Sequence, residues 1–183
     1  MRSPFYFIVT PVGGERYVTE RNGLIVSVSE EDHKNSNREA IVIELPSNYN
    51  GPISIGDKLL VHHNVFKYYN DVKGARRSGK SFLRDGYFYL DETQFYMYNH
   101  DGKWVTVKDY CFVKPSLNKD FYLEKGTLYE PLVGVIKYSN SELEKLGVCS
   151  GDEICFEPNS EYEFFVDGEV LYRMRTKSIA VKI

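Results

Sequence analysis

The sequence predicts an all-β protein built from two diverged copies of one small barrel-like unit. Three observations lead to this prediction. Aromatic residues make up 15% of the 183 residues, with fifteen Tyr and eleven Phe, and aromatic side chains favour strands. Helix signals are scarce, whereas short apolar runs alternate with Gly, Asn, Asp and Pro, as strands and turns do. Finally, four short blocks recur in the same order in the two halves of the chain.

The recurring blocks define the copies. In chain order they pair residues 6–11 (YFIVTP) with 110–115 (YCFVKP), 41–43 (IVI) with 132–136 (LVGVI), 56–61 (GDKLLV) with 151–156 (GDEICF), and 85–90 (DGYFYL) with 167–172 (DGEVLY). Gly-Asp before an apolar run predicts a turn that starts a strand, and Asp-Gly between two runs predicts a hairpin. We therefore expect an internal duplication, with one barrel over 1–103 and a second over 104–183, because closure removes exposed sheet edges.

At most one short helix is expected. A Ser/Asn cluster at 139–141 precedes the segment ELEKL, and Gly147 follows it. A polar start and a glycine end predict one or two helical turns there.

Composition limits the classes of function. The formal charge of −3 and the pI near 5.9 argue against bulk nucleic acid as the main partner. Three cysteines with no CxxC predict neither a disulfide framework nor a zinc site. His62 and His63 adjoin on a predicted strand, so their rings are expected on opposite faces. No activated nucleophile is indicated either. We expect no metal, no cofactor and no enzymatic activity.

The copies differ in their loops. Copy one has a candidate mobile loop over 13–37 and a basic insertion over 67–84, whereas copy two has the short helical segment. The insertion contains five candidate residues for an anion or subunit contact: Lys73, Arg76, Arg77, Lys80 and Arg84. In an acidic protein such a loop is expected to meet an acidic patch or to stay solvated, and nucleic-acid binding is the less favoured alternative.

The same insertion matches the Walker A pattern G-x-x-x-x-G-K-S over 74–81 (GARRSGKS). A true P-loop needs a helix after the motif, because the helix N-terminus holds the phosphates. Here residues 82–84 run directly into Asp85-Gly86, a hairpin signal. We therefore expect a mobile, basic loop that contains Gly and Ser instead of a nucleotide site.

The blocks together resemble the GroES-type co-chaperonins, in which an opening strand ends in V-x-P, a long loop follows, and a V-G-D strand precedes the closing strands. The resemblance covers most of the chain through short motifs, and it implies a ring of small barrels that caps a chaperonin. In that family a glycine and an aliphatic triplet in the loop dock on the chaperonin apical domain. Gly23, Leu24, Ile25 and Val26 stand at that place. The alternative for these residues is an ordinary barrel strand.

Some features depart from the family. Two barrels in one chain are unusual for it, the 67–84 insertion is foreign to its bacterial members, and the copy-two loop at 116–127 has no Gly-aliphatic triplet. Copy two is therefore expected to be mainly architectural. Diverged members occur in phages, so a phage origin is one possibility.

Two functions follow from these features. The first is a homo-oligomeric co-chaperonin-like ring that assists protein folding. The alternative is a structural or assembly protein of a virion or another large complex, since aromatic residues dominate interfaces. The N-terminus has no signal-peptide pattern and no apolar run long enough to span a membrane, so a cytoplasmic location is expected, in a host cell if the chain is phage-encoded and in the virion if the alternative holds.

Overall fold

A computed structural model of the chain describes residues 3–17, 20–21, 24–25, 36–118 and 128–183. The chain divides into two compact units, Met1–Trp104 and Val105–Ile183. We call them unit one and unit two.

Unit one is built on a seven-stranded sheet with two small ladders beside it. Its strands in chain order are β1 (Phe7–Pro11), β2 (Glu20–Arg21), β3 (Leu24–Ile25), β4 (Glu39–Glu44), β5 (Lys58–Val61), β6 (Tyr68–Asn70), β7 (Arg76–Ser78), β8 (Phe82–Arg84), β9 (Tyr87–Leu90), β10 (Phe95–His100) and β11 (Lys103–Thr106). The sheet order is β11-β10-β5-β4-β1-β9-β8, and β2 pairs with β3 and β6 with β7 in separate ladders.

Unit two is a six-stranded sheet with the chain's short helix. Its elements are β12 (Tyr110–Leu117), β13 (Tyr129–Tyr138), α1 (Ser141–Lys145), β14 (Glu153–Phe156), β15 (Tyr162–Val166), β16 (Glu169–Arg175), a 3-10 turn (Thr176–Ser178) and β17 (Ile179–Lys182). The sheet order is β15-β16-β12-β13-β14-β17. The all-β prediction with one short helix is thus confirmed.

The two sheets repeat one strand order. Read in the same direction, β10-β5-β4-β1-β9-β8 of unit one corresponds strand for strand to β17-β14-β13-β12-β16-β15 of unit two. The central ladders even share an irregularity, because the register shifts between Ile8 and Val9 in β1 and between Phe112 and Val113 in β12. A shared strand order and a shared bulge position support the internal duplication.

The turns predicted from Gly-Asp and Asp-Gly also recur. Gly56 and Gly151 both have φ of +94°, a backbone conformation that glycine adopts without steric cost. In the hairpin before each closing strand, Asp85 and Asp167 have φ of +49° and the following glycines also have positive φ. Two consecutive positive φ values are typical of the type I′ turn, whose twist matches that of the flanking strands.

Each unit has its own apolar core, to which β9 and β15 contribute every second residue. In unit one, Phe66 packs edge-on against Phe88 at a centroid distance of 4.7 Å, and both rings are fully buried. In unit two, Phe164 and Val166 of β15 are buried while the residues between and before them point to solvent. This period of two is what a strand with one face on a core requires.

The predicted closure into barrels is not observed among the described residues. Strands β8 and β11 end one sheet, and strands β15 and β17 end the other. Alternating hydrophobicity and turn residues predict strands and hairpins, but closure depends on strand tilt and stagger, which such patterns do not encode.

Candidate functional site

The candidate loop over 13–37 has a hydrogen-bonded stem. The Asn37 side-chain amide donates to the carbonyls of Val12 at 2.9 Å and Glu15 at 2.8 Å, and the Asn37 backbone N–H donates to the Arg16 carbonyl. Tyr17 and Ser36 form an isolated antiparallel bridge just beyond. The stem therefore closes at Tyr17 and Ser36, inside the predicted limits of the loop.

Beyond the stem, the aliphatic residues of the predicted docking segment lie off the main sheet. Leu24 pairs with Arg21 and Ile25 with Glu20 in the small β2–β3 ladder. Among the described residues this ladder joins neither large sheet, so Leu24 and Ile25 are not part of an ordinary strand of the scaffold. Gly23 and Val26 lie outside the described residues, as do residues 119–127 of the corresponding loop in copy two.

Residues 68–78 of the basic insertion form a β-hairpin, and the expectation of a loop there is wrong. Tyr68 pairs with Ser78 and Asn70 with Arg76. The Walker-like residues 74–81 therefore comprise a turn, strand β7 and the connection to β8. Because Phe82–Arg84 is strand β8, no helix follows the motif, as expected, and the phosphate-binding geometry of a P-loop is not formed.

The tip of the hairpin is organised by Asp71. Its carboxylate accepts hydrogen bonds from the backbone N–H groups of Ala75 and Lys73 at 2.9 Å, and Arg77 pairs with it at 3.1 Å. The Ala75 hydrogen bond, followed by the Arg77 and Lys73 bonds, lowers the pKa of Asp71. This turn gives a sequence-local reason for the hairpin, since Asp side chains often bond the backbone two to four residues on.

Arg16 anchors the base of the hairpin. Its guanidinium lies over the rings of Tyr68, Phe82 and Phe88 at 4.1 to 4.7 Å and donates to the Ser78 hydroxyl at 2.9 Å. Burial is the main cause that lowers the pKa of Arg16. Cation–π contacts of this kind are worth about 0.5–2 kcal/mol each, so Arg16 joins the hairpin to the sheet.

Tyr68 is the hairpin residue at the centre of these contacts. The Arg76 guanidinium lies 3.7 Å from its ring centroid, and the Tyr17 ring stacks on it at 6.1 Å. The Tyr68 backbone N–H also donates to the Tyr17 hydroxyl at 3.0 Å. The base of the hairpin is therefore connected to the stem of the 13–37 loop.

A cavity of about 240 Å³ opens beside this anchored base. It is lined by residues 67–69, residues 79–81, Asn64 and Gln94. Gln94 donates to the Ser81 hydroxyl at 3.2 Å, and Ser81 is nearly fully buried. Tyr69 is 55% exposed. We call this feature the hairpin cavity; its lining residues include two lysines, two tyrosines, a serine and two amide side chains, and no Asp or Glu is among them.

The structure separates the five predicted basic residues. Only Lys80 lines the hairpin cavity. Arg77 pairs with Asp71, Arg76 covers Tyr68, and Arg84 lies 4.0 Å from Asp85. Lys73 sits in the turn at the hairpin tip.

Sequence reasoning did not single out four residues that shape the site: Lys67, Asn64, Gln94 and Arg16. Lys67 is adjacent to the Tyr68-Tyr69 pair, which was a usable signal, whereas Asn64 belongs to no motif and Arg16 and Gln94 are distant in sequence.

The histidine prediction is wrong. Strand β5 ends at Val61, and the rings of His62 and His63 stack at a centroid distance of 4.2 Å. Across the residues that the structure describes, no three His, Cys, Asp or Glu side chains group in a way that could hold a metal ion.

The three cysteines are free, and burial raises the pKa of the Cys111 thiol to about 12. None of the described helices has the length and apolarity needed to cross a membrane.

Comparison with known proteins found no family model that matches the chain and no curated protein that is significantly similar to it.

Proposed function

We propose that the protein is a co-chaperonin-like ring protein that caps a chaperonin and assists protein folding without catalysis of its own. The observation that carries the proposal is the placement of Leu24 and Ile25 on a small ladder between β1 and β4, off the repeated six-strand scaffold. This is where the resemblance to GroES-type proteins puts the docking segment. The repeated strand order of both units is consistent with that resemblance.

The loop stem supports this role for the aliphatic residues. Asn37 ties both ends of the excursion to the backbone at Val12, Glu15 and Arg16, so the segment leaves and rejoins the scaffold at fixed points. Burying an aliphatic side chain contributes about 1.5–3 kcal/mol, whereas ordering a residue costs about 1–2 kcal/mol. A single loop would therefore bind weakly, and several loops in one ring would bind tightly through avidity.

The sheet edges supply surfaces for self-association. Strand β17 ends the sheet of unit two; its Val181 side chain is 57% exposed, and Ile183, directly after the strand, is 65% exposed. Unpaired edges of this kind readily pair with another chain. In the proposed ring these edges join neighbouring subunits, and unit two serves as a structural element.

The test is native mass measurement together with capture on a GroEL-type chaperonin in the presence of ATP. A ring that co-purifies with the chaperonin is expected. Replacing Ile25 with Asp should weaken capture at least about tenfold, because each loop in the ring would lose its apolar contact. Ile55→Asp is the matched control, since Ile55 is 60% exposed in the same unit but outside the 13–37 loop.

Two outcomes would reject the proposal. One is a stable monomer that ignores the chaperonin. The other is a large assembly that does not bind chaperonin and protects residues 16–37 from protease by its own contacts, which is expected of a structural protein. Equal capture of the Ile25→Asp and wild-type chains would reject the docking segment specifically.

A further inference from the structure

The hairpin cavity is not explained by chaperonin capping. It lies at the base of the β6–β7 hairpin, whereas the proposed docking residues belong to the β2–β3 ladder. Residues 67–84 contain six basic residues and one acidic residue, in a chain whose formal charge is −3. The one acid, Asp71, is already paired with Arg77 at the tip. Residues 67–84 thus carry a formal excess of positive charge on an acidic protein.

The cavity walls combine the groups that recognise a phosphate with a surface that suits a ring. Lys67, directly before β6, and Lys80, two residues after β7, both line the cavity, and lysine side chains bind phosphate groups. The Ser81 hydroxyl accepts from Gln94 and retains its own hydrogen for donation. Tyr69, more than half exposed, offers a face on which a base can stack.

The site is also preorganised. Arg16 fixes the hairpin base through three rings and the Ser78 hydroxyl, and the Asp71 turn fixes its tip. Because the walls are held before any ligand arrives, little ordering cost opposes binding.

We propose that the hairpin cavity binds one nucleotide unit, with the phosphate at Lys67, Lys80 and Ser81 and the base against Tyr69. The cavity volume of about 240 Å³ is below the usual range of about 300–1,000 Å³ for small-molecule pockets, so the cavity can enclose no more than part of one nucleotide, and the base would lie against the exposed Tyr69 at its wall. The unit comes either from a free nucleotide or from a single strand, in which case Lys73 and Arg77 would meet neighbouring phosphates. An acidic peptide would use the lysines but would leave the exposed Tyr69 ring without a role.

The experiment measures binding of a fluorescently labelled twelve-residue oligothymidine to the full chain at 50 mM salt by anisotropy. Competitors are AMP, inorganic phosphate and a poly-glutamate peptide. The double variant K67A/K80A should bind about tenfold or more weakly and should reduce the slope of log affinity against log salt by about 1.4. Y69L should weaken oligonucleotide binding about tenfold through the lost stacking.

Matched controls separate the cavity from general charge. Lys145→Ala removes one positive charge from unit two, and Tyr6→Leu removes an exposed ring of unit one that lies outside the cavity; both should bind like the wild type. Unchanged fluorescence of Trp104, the one tryptophan of the chain, reports that unit one is folded in every variant.

The competitors identify the source. Oligonucleotide binding far tighter than that of AMP supports a single strand, and equal affinity per site supports a free nucleotide. Absence of binding to both would overturn the proposal. So would a result in which poly-glutamate or phosphate competes as well as the oligonucleotide and Y69L has no effect, because the surface would then select only for charge. Chaperonin capture does not depend on these residues, so either proposal can fail alone.

Discussion

The two units contain the same Gly-Asp turn, but the aspartate of that turn has a different basic partner in each. In both, the Gly-Asp aspartate accepts a hydrogen bond from the backbone N–H three residues earlier: Asp57 from Ser54 at 2.8 Å and Asp152 from Cys149 at 2.7 Å. In both units, a basic partner comes from the last residue of the strand that neighbours the Gly-Asp strand at its outer side in the sheet. That partner is His100 in unit one, 2.8 Å from Asp57, and Lys182 in unit two, 2.6 Å from Asp152.

This difference teaches which parts of the duplicated unit are constrained. The aspartate is needed by the backbone, because it satisfies an N–H group of the turn in both units. Its partner only has to be basic, since it contacts the carboxylate from the exposed side. Scaffold features are therefore shared, and features at the surface have diverged.

The largest loss of stability is expected for a substitution of Asn140. Unit two has a helix between β13 and β14, and Asn140 caps it by accepting from the N–H groups of Glu142 and Leu143. The same side chain is buried and donates to the Tyr110 carbonyl and the Thr176 hydroxyl. Asn140→Ala should cost about 3 kcal/mol of unfolding free energy, from a lost cap and unsatisfied buried groups.

Asn140→Ser is the control for this prediction. Serine is a good N-cap but cannot reach both Tyr110 and Thr176, so it should recover only about 1 kcal/mol. Urea unfolding and hydrogen exchange of α1 measure the two effects. A loss below about 1 kcal/mol for Asn140→Ala would show that the buried hydrogen bonds are easily replaced.

A second, smaller loss of stability is expected where the β12–β13 ladder differs from the β1–β4 ladder. Gly134 of β13 faces Pro115, at the register position where Ala40 of β4 faces Pro11 in unit one. A Cβ on Gly134 would lie 2.7 Å from the Lys114 carbonyl oxygen and 2.5 Å from a Val113 methyl. Gly134→Ala should therefore destabilise unit two by about 1–3 kcal/mol, the usual cost of overpacking.

Ala40→Gly is the reverse change and should cost only about 0.5–1 kcal/mol, as expected for a glycine in a strand. Both variants can be compared by urea denaturation followed by circular dichroism. Equal effects at the two positions would contradict the close contacts that a Cβ at Gly134 would make.

The smallest expected effect is a pH dependence confined to unit one. The hydrogen bond to Asp57, with the charges of Asp57 and Asp101, raises the pKa of His100. The folded state thus holds the proton more tightly than the unfolded state. Its contribution to stability is complete below the ordinary histidine value of about 6.5 and is lost as the pH rises through the raised pKa.

The Trp104 fluorescence transition in urea, followed from pH 5.5 to 8.5, tests this. The wild-type midpoint should fall with rising pH, and His100→Lys should flatten the dependence, because an ammonium does not titrate there as an imidazole does.

In unit two the Cys149 N–H and Lys182 lower the pKa of Asp152, so its contribution is lost only as the pH falls into the acidic range. Lys182→His should transfer the neutral-range dependence to unit two. A flat wild-type profile would contradict the role given to His100.

Several features could be predicted from the sequence because they depend on neighbouring residues. Helix α1 followed from its polar start and from Gly147, which has a positive φ. The Asp-Gly hairpins followed from a dipeptide that tolerates positive φ twice in succession. The repeated strands followed from their alternation, in which Phe88 and Leu90 are buried and their neighbours are not. In each case the determining groups are within a few residues of one another.

The site depended on groups that are far apart in the chain. The sequence over 74–81 matches the Walker A pattern and predicted a mobile loop, yet pairing of Tyr68 with Ser78 makes a hairpin there. Lys67 and Lys80 line one cavity because that pairing folds the strand ends together, and Arg16 reaches the hairpin from the loop after β1.

By itself, then, the sequence determined the all-β class, the duplicated order of strands, the local turns and the short helix, since period and turn chemistry are short-range properties. Only the tertiary structure decided that the described strands leave both sheets with open edges, that Leu24 and Ile25 lie off the scaffold, and that basic and aromatic residues line one cavity. These outcomes depend on strand tilt and on contacts between distant residues, which no local pattern contains.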